Sequence, residues 1–335
     1  MRHSHNDLYT EIHPAITTQG QFDAIDRSRS LGYVGSMIAP SAPPHDVPSQ
    51  SNFSWSAVTR LIRLRNQTGT WLLLLPTLWS LILAARGIPP WLLIVIFSLG
   101  SFLMRSAGVV LNDLADRPFD RHVTRTQQRP LASGELRPWH ALVVVGILLA
   151  GAGLLVLLLN SFTIMLSPIA LLLAGLYPFA KRVVQIPQAM LGIAFGWGTI
   201  MAWAASDGTI EAPAWLVFAA TVCWAVGYDT IYALQDREDD ERIGVKSSAL
   251  FFGSSAWLAV GVSFIAMVAL LGLAGWLTQI GWFFYAVLAG VSLYCATQAL
   301  KLRNPVAPLP AFDMFRRHVW VGSAILVGLI GGFLV

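Results

Sequence analysis

Charge is what this sequence lacks most. Only 12% of its 335 residues are Asp, Glu, Lys or Arg, while 55% are hydrophobic. A soluble domain carries about 25% charged residues, enough to face water on every side. The shortfall excludes an ordinary water-soluble globule and places the chain among membrane proteins. Cysteine is scarce too. The two present, Cys223 and Cys295, lie inside apolar runs, so a disulfide framework is excluded and packing is their simplest role. The net charge of +4 gives no reason to expect nucleic acid, because the basic residues fall in short loops between apolar runs. The lipid bilayer is the expected partner.

The beginning of the chain lacks those apolar runs. Residues 1–54 are polar, with Ser, Pro, His and Asp. They have no apolar core of a secretory signal, and Asp7, Glu11, Asp23 and Asp26 are acids that a transit peptide avoids. They read as a disordered cytoplasmic tail, whose His3, His5 and His13 are solvated, ahead of one transmembrane domain over 55–335.

Within that domain the chain alternates short polar loops with apolar runs near the length of about 20 residues needed to cross a bilayer. Nine spans are expected: 68–86, 91–113, 139–159, 162–180, 187–206, 213–235, 255–277, 281–300 and 317–335. Lys and Arg alternate strictly between loops. Arg60, Arg63 and Arg65 precede the first span, and Arg117 to Arg137, Lys181 and Arg182, Arg237 to Lys246, and Lys301 to Arg317 come after every second crossing. The opposite loops carry little basic charge apart from Arg86. The positive-inside rule then puts the N-terminus and the basic loops in the cytoplasm.

Two of those loops are also acidic. The second span ends in Asn112-Asp113-Leu114-Ala115-Asp116-Arg117-Pro118-Phe119-Asp120. Positions i and i+4 share a helix face, so Asn112 and Asp116 point the same way. Pro118 argues that the helix stops and that Asp120 sits on the loop. The sixth span ends in Asp236-Arg237-Glu238-Asp239-Asp240, where Asp236 and Asp240 share a face and Asp229 lies two turns before Asp236 on it. Four crossings separate the clusters, so both open to one side. Facing carboxylates repel unless a cation lies between them. Carboxylate and amide oxygens suit Mg²⁺, which keeps several waters and shares the phosphates of its cargo. A diphosphate is the natural cargo, and its charge accounts for Arg121, Arg129, Lys181, Arg182 and Lys246 beside the acids.

Arg105 lies inside the second span, seven residues before Asn112 and on its face. An intramembrane arginine is a functional candidate. Holding the carboxylate of an acceptor and pairing with Asp229 are both open. Gly192 and Gly196 have the GxxxG spacing of close helix packing. Two other classes place acids in membranes. A divalent cation transporter needs them near mid-membrane on a conduit open to both sides, whereas the far side here has only Asp207 and Glu211 in a loop. A CDP-alcohol phosphotransferase needs one DxxDG…GxxxDxxxD block, whereas this chain has two separate blocks.

The stretches Asn112 to Gly134 and Tyr228 to Gly253 resemble the NDxxDxxxD and DxxxD signatures of the UbiA family of intramembrane prenyltransferases. Tyr177-Pro178-Phe179-Ala180-Lys181 is similar to that family's YxxxK element. The resemblance covers roughly residues 58–335, and its wording is closest to the 4-hydroxybenzoate polyprenyltransferases of ubiquinone synthesis. It implies an all-α bundle of about nine transmembrane helices around a central cavity. It implies Mg²⁺ held by Asn112, Asp116, Asp236 and Asp240, with Asp120 and Asp239 as further ligands. Tyr177, Lys181 and Arg182 would contact diphosphate or acceptor, and Arg105, Arg121 and Lys246 complete the expected substrate contacts. The implied reaction moves a polyprenyl group from polyprenyl diphosphate to the ring of 4-hydroxybenzoate. Homogentisate, naphthoate and haem are other acceptors within the family. Asp229 and the acids of the second cluster, Asp236 first, are candidates for taking the ring proton. One segment departs from the family pattern: where RLDRPIG is usual, this chain reads Arg63-Leu64-Arg65-Asn66-Gln67-Thr68-Gly69.

Overall fold

A computed structural model of the chain describes residues 54–121, 123 and 126–335, apart from the side chains of Lys181 and Ile243. The expected tail, except Ser54, lies outside the described residues. Among the described residues every regular element is a helix. Lipid offers no water to the backbone, so an apolar run can satisfy its own N–H and C=O groups only by coiling into a continuous helix.

The order is α1 (Trp55–Leu61), α2 (Thr68–Ala85), α3 (Trp91–Asp120), α4 (Pro138–Val156), α5 (Ser161–Val183), α6 (Pro187–Asp207) and α7 (Ala212–Ala233). Then come α8 (Arg237–Ile243), α9 (Ser248–Phe252), α10 (Ala256–Leu277), α11 (Trp282–Lys301), α12 (Pro308–Arg316) and α13 (His318–Gly332). Prolines open α4, α6, α7 and α12 within the first turn, where their missing N–H costs nothing. Arg86 (φ 47°) and Gly208 (φ 78°) end α2 and α6 in the left-handed conformation that breaks the helical ladder.

Eight helical segments are long and apolar enough to cross a membrane. Three expectations need correction. The ninth span, expected over 317–335, is the 15-residue α13, which begins where the chain bends at Arg317 after α12. The second span does not stop at Pro118. Helix α3 runs 30 residues through it to Asp120, because a proline removes one hydrogen bond of a ladder that the turns on either side still hold. The sixth span ends early. Helix α7 stops at Ala233, and Asp236 caps the separate helix α8, so Asp229 and Asp236 do not share one continuous helix.

The helices pack as a ring. Neighbours around it are α2, α3, α5, α6, α7, α10, α11 and α13, with α13 closing back onto α2 and α4 lying outside α3. Helices α6 and α7 approach closely because two glycines allow it: a Cβ on Gly192 would meet Val222 Cα at 2.8 Å, and one on Gly196 would meet the Phe218 ring at 2.9 Å. The GxxxG reading is thereby borne out. Buried tryptophans fill the opposite half. Trp79 lies 5.0 Å from Trp224, centroid to centroid, and its Nε1 donates to the Gly322 carbonyl at 3.0 Å. Trp224 Nε1 donates to His318 Nδ1 at 3.1 Å, which leaves Nε2 as the protonated nitrogen, facing Gln298 Oε1 at 3.0 Å. The packed half holds the shape of the hollow half, where α2 to α7, with α12, surround a cavity of about 1260 Å³.

Candidate active site

Both acidic clusters open into this one cavity. Asn112, Asp116 and Asp120 line it from α3, Asp229 from α7, and Asp236, Asp239 and Asp240 from the start of α8. Tyr177 and Arg182 of α5 line it as well, with Arg105 of α3 and Lys246 of the loop after α8. Residues far apart in sequence are thus gathered as the spacing and crossing count predict. Arg121 is not among them: it is exposed at the C-terminus of α3, outside the lining. The Lys181 side chain lies outside the described residues.

The α3 end is held by charge. Asn112 Nδ2 donates to Asp116 Oδ2 at 2.9 Å, as the shared face requires. Asp113, next to Asn112 but turned away from it, is buried and receives both Arg63 and Arg129. Arg63 Nη2 reaches its two oxygens at 3.0 and 2.8 Å, and Arg129 Nη1 reaches Oδ1 at 3.1 Å. The same Arg129 nitrogen donates to Asp120 Oδ2 at 2.8 Å. Thr126 Oγ1 donates to the Asp120 carbonyl at 3.0 Å, and Arg117 Nε to the Leu131 carbonyl at 3.1 Å. The loop after α3 is therefore folded back onto the helix end.

Arg129, expected beside a diphosphate, lines the cavity and is also paired with Asp113 and Asp120. Sequence reasoning passed over Asp113, which lies off the Asn112–Asp116 face but borders the same cavity together with Arg63 and Arg129. It used Arg63 only for sidedness. A buried acid with two arginines is a structural clamp, and removing one partner of such a group costs about 3–5 kcal/mol.

The second cluster is built differently. After α7 ends, Asp236 begins α8, and its carbonyl accepts from the Asp240 N–H at 2.8 Å. Glu238, Asp239 and Asp240 fill the first turn, where the helix dipole favours negative charge, and Gly244 (φ 71°) ends the helix. Arg242 stands 3.5 Å from Asp239 in an exposed pair. Two basic side chains close the gap between the motifs. Lys246 Nζ donates to the Val183 carbonyl at 2.8 Å, and Arg182 Nη2 to the Ala115 carbonyl at 2.7 Å, with its guanidinium 5.5 Å from the Phe119 ring centroid. The end of α5 thereby touches both acidic regions.

Deeper in the cavity, Arg105 interacts electrostatically with Tyr177, Tyr232 and Asp229. Among the described residues it forms no ion pair within 4 Å, so the pairing with Asp229 is long-range only. Its guanidinium lies over Gly69 in the first turn of α2: a Cβ there would stand 2.6 Å from Nη2 and 2.8 Å from Cζ. Glycine costs a helix about 1 kcal/mol relative to alanine, and the room it leaves for Arg105 explains it here.

Among the described residues, no three His, Cys, Asp or Glu side chains converge closely enough to hold a metal unaided. The all-oxygen donors of the two clusters still fit Mg²⁺, which is bound by one or two carboxylates together with substrate phosphates.

Known proteins agree with this architecture. The profile of the UbiA prenyltransferase family matches residues 73–320. A 4-hydroxybenzoate octaprenyltransferase of Burkholderia vietnamiensis is 45% identical over 278 residues, 82% of this chain and 95% of its own length. One from Thiobacillus denitrificans is 46% identical over 280 residues, 84% of this chain and 95% of its own. Among solved structures, an apo UbiA homolog from Aeropyrum pernix superposes with a TM-score of 0.66 at 26% identity, covering 78% of this chain and 97% of that one. A UbiA homolog from Archaeoglobus fulgidus bound to GPP and Mg²⁺ shares the fold with a TM-score of 0.58 at 17% identity, over 83% of this chain and 100% of that one. Motifs, fold and relatives coincide over the same residues, and the chain belongs to the UbiA prenyltransferase family.

Proposed function

We propose that this protein transfers a polyprenyl group from polyprenyl diphosphate to the ring of 4-hydroxybenzoate, the aromatic prenylation step of ubiquinone synthesis. The observation that carries the reading is the meeting of both acidic clusters, Arg182 and Lys246 at one mouth of an apolar cavity. The relatives' names supply the acceptor and favour a long prenyl chain. Family membership takes the place of the transporter reading.

Bound Mg²⁺ would be held by Asn112, Asp116, Asp236 and Asp240, with Asp239 beside them, and would supply Lewis-acid neutralisation of the leaving diphosphate. Asp120 has Oδ2 committed to Arg129 and contributes through its other oxygen. Lys246 and Arg182 bind the diphosphate oxygens from the α5 side, where charge builds as the allylic C–O bond lengthens. Leu, Phe and Met side chains of the cavity wall hold the isoprenoid tail and keep water from the developing allylic cation. Arg105, with no carboxylate of the described residues in ion-pair range, binds the carboxylate of the aromatic acid, and Tyr177 lines the same space. The ring carbon ortho to the hydroxyl forms the new C–C bond, and Asp229, or Asp236 nearer the mouth, takes the proton that carbon loses. The sidedness of Lys and Arg supports a mouth that opens to the cytoplasm, and the bacterial relatives support an inner-membrane location.

The test is an acceptor series at fixed polyprenyl donor, using purified full-length protein with Mg²⁺ and then with EDTA. The expected result is EDTA-sensitive prenylation of 4-hydroxybenzoate in preference to homogentisate or naphthoate. A preference for another acceptor overturns the substrate; activity that survives EDTA overturns the metal.

A further inference from the structure

Beside the cavity, and separate from its acidic mouth, lies a recess of about 570 Å³ between the turn before α2 and the bend joining α12 to α13. Its charge is one-sided. Arg65 comes from the turn, Arg316 and Arg317 from the bend, and among the described residues the carboxylate of Asp313 is the single acid lining it. All three arginines are exposed. Among the described residues none of them has an ion-pair partner within 4 Å, and Arg316 stands over the Phe312 ring at 5.9 Å.

Two tryptophans frame the recess. Trp71 on α2 is 49% exposed and Trp320 on α13 is 76% exposed. Both helices begin at the end of the bundle that carries the acidic clusters. Exposed tryptophan at the end of a spanning helix marks the depth of the lipid headgroups. Below Trp320, two turns along the same face, Val327 is 58% exposed. An amphiphile whose head sat in the recess would lay its chains on that apolar stripe.

We propose that this recess binds the phosphate headgroup of an anionic phospholipid from the surrounding leaflet. Three guanidinium groups match a phosphodiester in charge and in hydrogen-bonding geometry, and basic pockets at this depth attract acidic lipids. A Mg²⁺-bound diphosphate suits the recess less well, because it has one carboxylate where the cavity mouth has two clusters. The polar residues Asn66 and Thr68 line both recess and cavity, so the bound lipid borders the active site without entering it.

The experiment is native mass spectrometry of the purified full-length protein after exchange into nanodiscs of mixed phosphatidylglycerol and phosphatidylcholine. Wild type is expected to retain phosphatidylglycerol selectively. Each of Arg65→Gln, Arg316→Gln and Arg317→Gln should lower that selectivity about fivefold, and the triple variant should abolish it. Asp313→Asn, which removes the opposing charge, should raise it, and gives a readout in the other direction if the triple variant fails to fold. Equal retention of the two lipids by wild type, or unchanged selectivity in the arginine variants or in Asp313→Asn, overturns the site. Displacement of phosphatidylglycerol from wild type by prenyl diphosphate with Mg²⁺ reassigns the recess to the donor and likewise overturns it.

Discussion

The two acidic regions that line one cavity are built in opposite ways. On α3 the residues Asp113, Asp116 and Asp120 are 2%, 4% and 7% exposed, on a 30-residue helix whose end is clamped by Arg63 and Arg129. On the other side Asp236, Asp239 and Asp240 are half-buried, on a seven-residue helix beyond the break in the chain after α7. A helix that short does not hold itself together in isolation. One half of the site has buried carboxylates held by Arg63 and Arg129; the other carries its acids, half-buried, on a short separate helix. The difference suits a reaction in which a charged head must enter, be gripped, and leave as free diphosphate.

The largest test is of what the halves share. Asp116→Ala and Asp236→Ala should each lower kcat about 10³-fold or more, as loss of a principal electrostatic contact does, with the protein still in the membrane fraction. Near-normal Mg²⁺-dependent turnover in either would remove that region from the chemistry. The contrast itself is tested by stability. Asp113→Ala should cost about 3–5 kcal/mol by taking the carboxylate from Arg63 and leaving Arg129 to Asp120 alone, read from the thermal unfolding of purified protein. Asp239→Asn, at an exposed pair, should stay within about 0.5 kcal/mol. Equal losses would show that the second region is as tightly preset as the first.

Smaller effects locate the bridge between the regions. Lys246→Met should raise the donor KM roughly tenfold or more, from about 1.5–3 kcal/mol for a charged hydrogen bond, and leave the acceptor KM alone. Gly69→Ala should push Arg105 aside at a cost of about 1–3 kcal/mol, raising the KM for 4-hydroxybenzoate and spoiling discrimination against the phenol that lacks the carboxylate. A change confined to donor KM would place Arg105 on the diphosphate instead.

The contrast was only half visible in the amino-acid sequence. Carboxylate spacing, loop charge and an even number of crossings were enough to bring Asp116 and Asp236 to one cavity, because periodicity and topology are local arithmetic. The helix boundaries were not. Pro118 looked like a stop and is spanned, since tertiary contacts from Arg117 and Thr126 hold the turn around it. The apolar run through Gln235 looked continuous and is broken at Ala233. Gly69 was unreadable as a site residue, because its reason, the guanidinium of Arg105, comes from another helix. The ion pairs of Arg129 were unreadable for a similar cause: a basic residue beside acids suits a phosphate or a neighbouring carboxylate equally well, and only coordinates show its pairing with Asp113 and Asp120.

Helix α13 carries a consequence for biogenesis. Its 15 residues would extend about 22 Å at 1.5 Å per residue, less than the roughly 30 Å of hydrocarbon a lone span must cross. It is fastened at one end by His318 to Trp224 and Gln298, and at the other by the Gly281 N–H to the Gly332 carbonyl at 2.8 Å. Too short to span alone, it would be a poor client of the translocon by itself and would enter as a passenger of the already seated α11. Losing either fastening would then show first as a newly made chain with α13 left out of the bundle.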